Sequence, residues 1–128
     1  MTDECLEFNV STEKELVDCF DSLRKGCVKT DILVNRVFEY WNIFKNKVYY
    51  SQNKHLQIPS IIFDPIFPTI TFFWDNTDDY LYCDILEDGS FEFNYYNRKT
   101  KERLGEDYHP GENTFPEKAF ELLLKFSK

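Results

Sequence analysis

The residues best suited to acid–base chemistry lie together late in the chain. Residues 106–109 are Glu, Asp, Tyr and His, and a carboxylate beside an imidazole can orient the ring for proton transfer. Four adjacent polar residues are also the ordinary composition of a loop in an acidic protein. The chain has no glycine-rich phosphate loop, no Gly-x-Ser-x-Gly and no His-Glu-x-x-His motif. We therefore predict that the protein is not an enzyme.

A second group of residues suits cation binding. Asp75, Asp78 and Asp79 crowd one predicted turn and could bind a divalent cation through carboxylate oxygens. Their spacing does not match an EF-hand loop, and turns favour Asp for backbone reasons. The histidines, His55 and His109, lie in predicted loops, which is unlike a zinc site. We predict no metal site and no cofactor.

The cysteines are predicted to be structural. Cys5, Cys19, Cys27 and Cys83 include no Cys-x-x-Cys pair. Cys19 and Cys83 fall on apolar faces of predicted elements. We therefore expect reduced thiols in the core rather than metal ligands or disulfides.

Negative charge is concentrated in one part of the chain. The formal net charge is −8. The segment from Asp64 to Asn113 holds 12 acidic and 4 basic residues, whereas the remainder is balanced. An acidic field repels nucleic acid and anionic membranes and attracts basic proteins. We expect neither a nucleic-acid nor a membrane partner, although the acid could also serve only to keep an aromatic-rich domain soluble.

Length and composition indicate a single globular domain over residues 1–128. Hydrophobic residues make up 42% of the chain and aromatic residues 18%, which is far above the content of disordered chains. No apolar run approaches the roughly 18 residues that a membrane span requires. The N-terminal residues are acidic and polar, unlike a signal peptide. We therefore expect a cytoplasmic protein.

Two segments near the N-terminus have the apolar period of amphipathic helices. The first is predicted over residues 12–25, where Thr12 and Glu15 form a capping box. The second is predicted over residues 31–48. Its aromatic stripe makes it the expected main packing partner of the sheet.

A third helix is predicted over residues 115–126. Thr114 and Glu117 match a second capping box. Pro116 would then lie in the first helical turn, where its missing amide costs nothing. The polar residues 49–57, between the second helix and the sheet, are predicted to be a loop.

Residues 70–97 predict an antiparallel three-stranded meander, because three alternating apolar runs are separated by turn residues. One face, here called the inner face, is apolar and should pack on the helices. Its residues are Ile70, Phe72, Trp74, Leu81, Cys83, Ile85, Phe91, Phe93 and Tyr95. The opposite, outer face mixes aromatic rings with carboxylates. Its residues are Thr71, Phe73, Asp75, Tyr80, Tyr82, Asp84, Glu92, Asn94 and Tyr96.

The phase of the two faces determines the turns, since directly opposed residues share a face. A three-residue loop over residues 87–89 pairs Ile85 with Phe91, and Gly89 takes the left-handed position of the hairpin. The first hairpin pairs Trp74 with Leu81 across a four-residue loop. Both turns therefore keep apolar residues on one face.

Three further segments could extend the sheet. Residues 4–10 alternate and predict a short edge strand. Residues 58–68 hold three of the five prolines, so we exclude a central strand there and expect an extended edge segment over the core, with room for a short strand at 60–63. A short fourth strand could precede the polar loop over residues 102–113. The prediction is an α+β fold, an antiparallel sheet of three to five strands with helices packed on one face, in the order (β)ααβββα.

The meander also resembles a known sequence pattern. Its segments Pro68–Asn76, Asp78–Gly89 and Phe91–Tyr96 are similar to segments of small bacterial immunity proteins of contact-dependent inhibition and other polymorphic toxin systems. The resemblance implies a cytoplasmic, non-enzymatic protein that binds one cognate toxin domain and blocks its active site. Such toxins are often nucleases with basic clefts, and an acidic sheet is the counterpart that such a cleft requires.

We therefore predict an immunity protein whose partner is a cognate toxin with a basic surface. The predicted contact residues are those of the outer face and its adjoining turn: Asp75, Asp78, Asp79, Tyr80, Tyr82, Asp84, Glu92 and Tyr96. The alternative for this face is that another element covers it, so that its aromatics form a second core layer. The alternative function is a small regulatory or adaptor domain that binds another basic protein or peptide. The sequence predicts no oligomeric state.

Overall fold

The protein is an α+β fold in which, over the described residues, six antiparallel strands and three helices form one sheet and one helical layer. The computed structural model describes residues 6–26, 31–114 and 116–128. The strands are β1 (Leu6–Phe8), β2 (Ser60–Asp64), β3 (Thr69–Asp75), β4 (Asp79–Leu86), β5 (Phe91–Asn97) and β6 (Arg103–Tyr108). The helices are α1 (Glu13–Gly26), α2 (Asp31–Gln52) and α3 (Glu117–Leu124). Strand order in the sheet follows chain order from β1 to β6.

The first two helices form where they are predicted. The Glu15 amide donates to Thr12 Oγ1 at 3.1 Å, and the Glu15 carboxylate accepts from the Ser11 amide at 3.2 Å, so a capping box starts α1. Helix α2 continues one turn beyond its predicted end. Asn53, at φ 54, follows it in the left-handed conformation that ends many helices. None of the helices within residues 6–26, 31–114 and 116–128 has the length and apolar content to cross a membrane.

The start of α3 differs from the prediction. Pro116 is its N-cap, with an extended backbone and no side-chain cap bond. Glu117 is therefore the first helical residue rather than the third, and the predicted capping box with Thr114 is wrong. The predicted apolar stripe is nevertheless buried, at Ala119, Leu122, Leu123 and Phe126.

The central meander is confirmed in register. Ile85 lies opposite Phe91, and Trp74 lies opposite Leu81. In the turn between β4 and β5, Gly89 has φ +89 and its amide donates to the Leu86 carbonyl at 3.1 Å. This is the left-handed glycine that the phase of the two faces required.

The short strand suggested at 60–63 is confirmed as β2, but the predicted edge position of residues 58–68 is wrong and the predicted strand count is too low. Strand β2 pairs with β1 on one side and with β3 on the other, so it is an interior strand. Its flanking prolines lie outside it, and each of its residues can therefore donate to the ladder. Ile61 and Phe63 are buried as expected, whereas the turn residues Ile66 and Phe67 are exposed. Strand β1 forms within the predicted edge segment 4–10. Strand β6 lies inside residues 102–113, so the loop predicted there is wrong over Arg103–Tyr108.

The core lies between the inner face and the helices. All of the predicted inner-face residues are buried. Phe44 of α2 packs its ring 6.3 Å from Phe72, 5.7 Å from Phe91 and 5.5 Å from Phe93, measured between centroids. Helix α2 is thus the main partner of the sheet, as its aromatic stripe predicted.

Two of the four cysteines lie within the described residues. Cys19 and Cys83 are free and buried, as predicted. Burial raises the pKa of Cys19 to about 11 and that of Cys83 well above its usual value, so both thiols stay protonated at neutral pH. Cys5 and Cys27 lie outside the described residues.

Candidate functional site

The outer face of the sheet carries most of the predicted contact residues. Strand β2, which was expected to lie over the core, instead pairs within the sheet. The outer rings of β3, β4 and β5 are partly exposed rather than buried. A second core layer above the face would have buried them. Within the described residues, this surface is therefore open.

Four of the outer rings form one cluster, here called the aromatic cluster: Phe73, Tyr80, Tyr82 and Tyr96. Phe73 and Tyr82 are opposed on β3 and β4 and stack at 4.5 Å between centroids. Tyr80 lies 5.3 Å from Tyr82 and 5.4 Å from Tyr96. Burial and the neighbouring groups Tyr80, Asp75, Glu7 and Asp84 raise the pKa of Tyr82, so its hydroxyl remains neutral. The cluster is a preformed apolar patch with phenol groups at its rim.

Two arginines already lie on rings of this cluster. The Arg98 guanidinium is 4.9 Å from the Tyr80 ring centroid, and that of Arg103 is 4.4 Å from the Tyr96 centroid. Arg98 also binds Asp75 at 2.8 Å, and this hydrogen bond raises the pKa of Arg98. These rings therefore accept guanidinium groups within the fold itself.

A line of carboxylates crosses the same face and is here called the acidic row: Glu7, Asp84, Glu92 and Asp107. Asp84, Glu92 and Asp107 are directly opposed on β4, β5 and β6. Like charges in directly opposed positions destabilise a sheet. Asp84 accepts a hydrogen bond from the Thr71 hydroxyl, and within the described part of the chain no basic side chain pairs with Glu92. No group of three or more His, Cys, Asp or Glu in that part could hold a metal ion.

Two predicted contact residues lie apart from this surface. Asp78 is in the turn before β4 and pairs with Lys99 at 3.2 Å. Asp79 accepts a hydrogen bond at 2.8 Å from the hydroxyl of Tyr95, an inner-face residue that is 3% exposed. Strand alternation thus directs Asp79 to the core side. The outer face brings the other six predicted residues together: Asp75, Tyr80, Tyr82, Asp84, Glu92 and Tyr96.

A cavity of about 550 Å³ opens in the outer face beside the aromatic cluster. Tyr82 and Tyr96 line one part of it, and Gly105 of β6 lines another. A Cβ on Gly105 would meet only ordinary contacts, at 3.7 Å from Asn94 Oδ1 and from the Phe93 carbonyl. The fold does not require glycine at this position. Its missing side chain instead deepens the outer face.

Sequence reasoning missed the part of the site that β1 and β6 provide. Glu7 and Asp107 extend the acidic row, while Arg103 and Gly105 border the aromatic cluster. Strand β6 has few residues that favour strands, so its composition resembles a loop. One available signal is the alternation of Leu104 and Tyr108 with polar residues after a short turn.

The acid–base group near the end of β6 is also assembled. His109 Nδ1 lies 3.1 Å from Ser90 Oγ, and Nε2 lies 3.2 Å from Asp107 Oδ2. Ser90 is only 2% exposed, and its amide donates to Asp88 Oδ1 at 2.8 Å in the turn after β4. Hydrogen bonds from the amide and the side chain of Ser90 lower the pKa of Asp88. A substrate carbonyl would have no access to the buried hydroxyl, so the arrangement fits a structural link between β6 and this turn.

No match to this chain was found among protein-family models, curated proteins or solved structures. Function is therefore argued from the outer face itself. Its relevant properties are open aromatic rings, directly opposed carboxylates of which, within the described residues, Asp107 alone contacts a histidine, and a cavity beside them.

Proposed function

We propose that the protein is an immunity protein that binds and neutralises a cognate bacterial toxin domain, with a nuclease as the expected toxin class. The observation that carries the binding surface is the open outer face, where the aromatic cluster adjoins the acidic row. The toxin as partner comes from the resemblance of the meander to immunity proteins. The proposed role needs no catalytic group and no cofactor.

The two parts of the face would contribute differently to binding. Tyrosine rings supply contact area at low entropic cost and are enriched among residues that dominate binding energy. Carboxylates around them favour basic partners, accelerate association and reject other acidic surfaces. Single-stranded nucleic acid would also stack on the rings, but the acidic row opposes its phosphates.

The acidic row supports a basic partner in a second way. Asp84, Glu92 and Asp107 repel one another in the free protein because they are directly opposed. Lysine or arginine side chains of a partner would remove that repulsion on binding. Relief of this repulsion would therefore contribute favourably to the free energy of binding.

The decisive experiment starts with a pull-down of the product of the neighbouring gene. With that protein in hand, association rates are measured for Glu92→Lys and Asp107→Lys at low and high salt. Asp107→Lys also removes the contact with His109, so Glu92→Lys is the main variant. We expect slower, less salt-sensitive association, because steering depends on charge on the face. Glu112→Lys is the matched control, since it makes the same charge change in an exposed loop outside the face. Equal effects of all three variants would contradict the assigned surface.

Charge reversal at Asp78 and Asp79, two of the predicted contact residues, tests the surface less directly than charge reversal at Glu92. Asp79→Lys would also break the bond to Tyr95 and could change binding through the fold. Asp78→Lys tests the turn alone, and its effect should be smaller than that of Glu92→Lys.

The alternative of a regulatory or adaptor domain uses the same face with another basic protein or peptide. Co-expression separates the two functions, because only an immunity protein restores growth to cells that produce the toxin. The adaptor function would be favoured if the protein binds a basic protein, loses that binding on Glu92→Lys, and yet does not restore growth to cells that produce the toxin.

A further inference from the structure

The free edge of β6 is the feature that the proposed function leaves unexplained. Within the described residues, β6 pairs with β5 alone. The Asn97 amide donates to the Glu102 carbonyl at 3.0 Å, which sets the alternation of bonded pairs along the ladder. By that alternation, the amides and carbonyls of Arg103, Gly105 and Asp107 point away from β5. The Asp107 carbonyl already accepts a hydrogen bond from Asn113 Nδ2 at 3.0 Å, so the open groups are both main-chain groups of Arg103 and Gly105 and the amide of Asp107. They form a row of main-chain donors and acceptors at the edge.

A groove runs beside this edge, between β6 and α3. Its volume is about 220 Å³. Leu104 and Leu122 line its apolar part, and Glu106, Lys118, Glu121 and Lys125 line its polar part. Leu104 is 38% exposed although it lies on the side of β6 that faces the helices. An apolar side chain entering from the edge would cover it.

We propose that the edge of β6 binds an extended segment of a partner protein as a seventh strand. Main-chain hydrogen bonds to Arg103, Gly105 and Asp107 would hold the segment, and one apolar side chain would fill the groove. The site adjoins the outer face but is distinct from it. The inference does not depend on whether the partner is a toxin.

Cross-strand pairing defines the chemistry of that segment. On the outer side it needs an acidic residue opposite Arg103 and a basic residue opposite Asp107. Opposite Gly105 it needs an aromatic ring, because a ring can cover a glycine on the neighbouring strand. On the inner side it needs an apolar residue opposite Leu104. An antiparallel segment with the core Lys-Thr-Tyr-Val-Asp meets all four requirements.

A second copy of β6 fits the edge less well. Antiparallel self-pairing centred on Gly105 would oppose Arg103 and Asp107 favourably. The same pairing places Glu106 of the copy, rather than an apolar side chain, opposite Leu104, so Leu104 would stay uncovered. A foreign segment is therefore the better occupant.

The test uses a nine-residue peptide, blocked at both ends, with the core Lys-Thr-Tyr-Val-Asp. Gly105→Pro removes an amide that points away from β5, so the β5–β6 ladder is kept while the edge is blocked. Gly105→Ala is the matched control for the backbone, because it keeps the amide and its Cβ meets only ordinary contacts. It adds one methyl group beneath the tyrosine ring of the peptide, so it measures the effect of the side chain alone. We expect titration calorimetry to show binding to the wild type and the alanine variant, and at least about tenfold weaker binding to the proline variant.

A second variant and a second peptide keep the test decisive. Leu104→Lys leaves the backbone unchanged but puts charge at the groove, and it should weaken binding as well. A peptide N-methylated at alternate positions should not bind. Binding that is equal in wild type and both site variants, or absent from the wild type at about 1 mM peptide, would overturn the proposal. Dimerisation of the free protein that Gly105→Pro abolishes would assign the edge to a second copy instead and overturn it equally.

Discussion

The two faces of one sheet have opposite relations to their surroundings, although the same strands build both. Inner-face rings such as Phe72 and Phe93 are fully buried and contact rings of the helical layer. Outer-face rings such as Phe73 and Tyr82 contact mainly one another and remain partly exposed. The rings of the inner face are therefore covered by the helices, whereas the rings of the outer face are covered by no other element of the described structure.

The inner face accounts for the stability of the fold, and the outer face is the surface proposed to bind a partner. Solubility alone would be served by scattered charges of both signs on the outer face. Instead, carboxylates oppose carboxylates across three strands, and aromatic rings lie beside them. We expect this arrangement to cost folding free energy, and the proposed basic partner would account for it. The predictions below test that division.

The largest expected difference is between neighbouring phenylalanines of β3. Phe72→Ala should lower the free energy of unfolding by about 3–5 kcal/mol, because it leaves a cavity in the core. Phe73→Ala removes one stacked ring from an open surface and should cost about 1 kcal/mol. Urea unfolding of both variants measures the difference. Similar losses for the two would mean that the outer face is a second core.

A smaller effect is expected where the inner layer meets the turn between β4 and β5. The buried Tyr40 hydroxyl donates to the Gly89 carbonyl, so Tyr40→Phe should cost about 1 kcal/mol at neutral pH. Burial raises the pKa of Tyr40 from 10.0 to about 12. Between these values the unfolded chain loses the proton first, so wild-type stability falls as pH rises.

The phenylalanine variant has no ionisable hydroxyl at this position, so its stability should not depend on pH through residue 40. The stability advantage of the wild type over Tyr40→Phe should shrink between about pH 10 and 12. Denaturant unfolding of both proteins across that range measures it. A constant difference would show that Tyr40 ionises alike in the folded and unfolded chains.

The smallest effect has the opposite sign. Glu92→Gln should raise the free energy of unfolding by roughly 0.2–1 kcal/mol, since it relieves repulsion from Asp84 and Asp107. The gain should diminish as salt screens the charges. Glu112→Gln, outside the row, should leave stability unchanged. A destabilised Glu92→Gln protein would show that this carboxylate has a favourable partner.

The parts of the fold that follow local periodicity could be predicted from the sequence. The three helices, the register of β3 to β5 and the Gly89 turn depend on spacing within short segments. Strand β2 could not be placed, because its prolines suggested an edge and only the structure shows that they flank the strand. The same limit applies to the start of α3, where Pro116 caps the helix.

The candidate site could be predicted only where strand alternation decides it. Alternation located Tyr80, Tyr82 and Asp84 on one face. It could not show that Asp79 bonds to Tyr95, or that β6 brings Gly105 and Asp107 to the same surface. The Asp79–Tyr95 bond depends on a cross-strand side-chain contact, and the position of β6 depends on pairing of a segment whose own sequence is a weak strand former.

The sequential order of the strands in the sheet affects how the protein folds and where it unfolds locally. Strands β2 to β6 are joined by short turns, so their pairing needs little loop closure. Strand β1 pairs with β2 across both long helices, and among the strand pairs of the sheet this one closes the longest loop. Amides of β1 should therefore exchange hydrogen with solvent before those of β3 and β4. Glu7 lies on that strand, so the acidic row ends on the segment of the sheet that opens most readily.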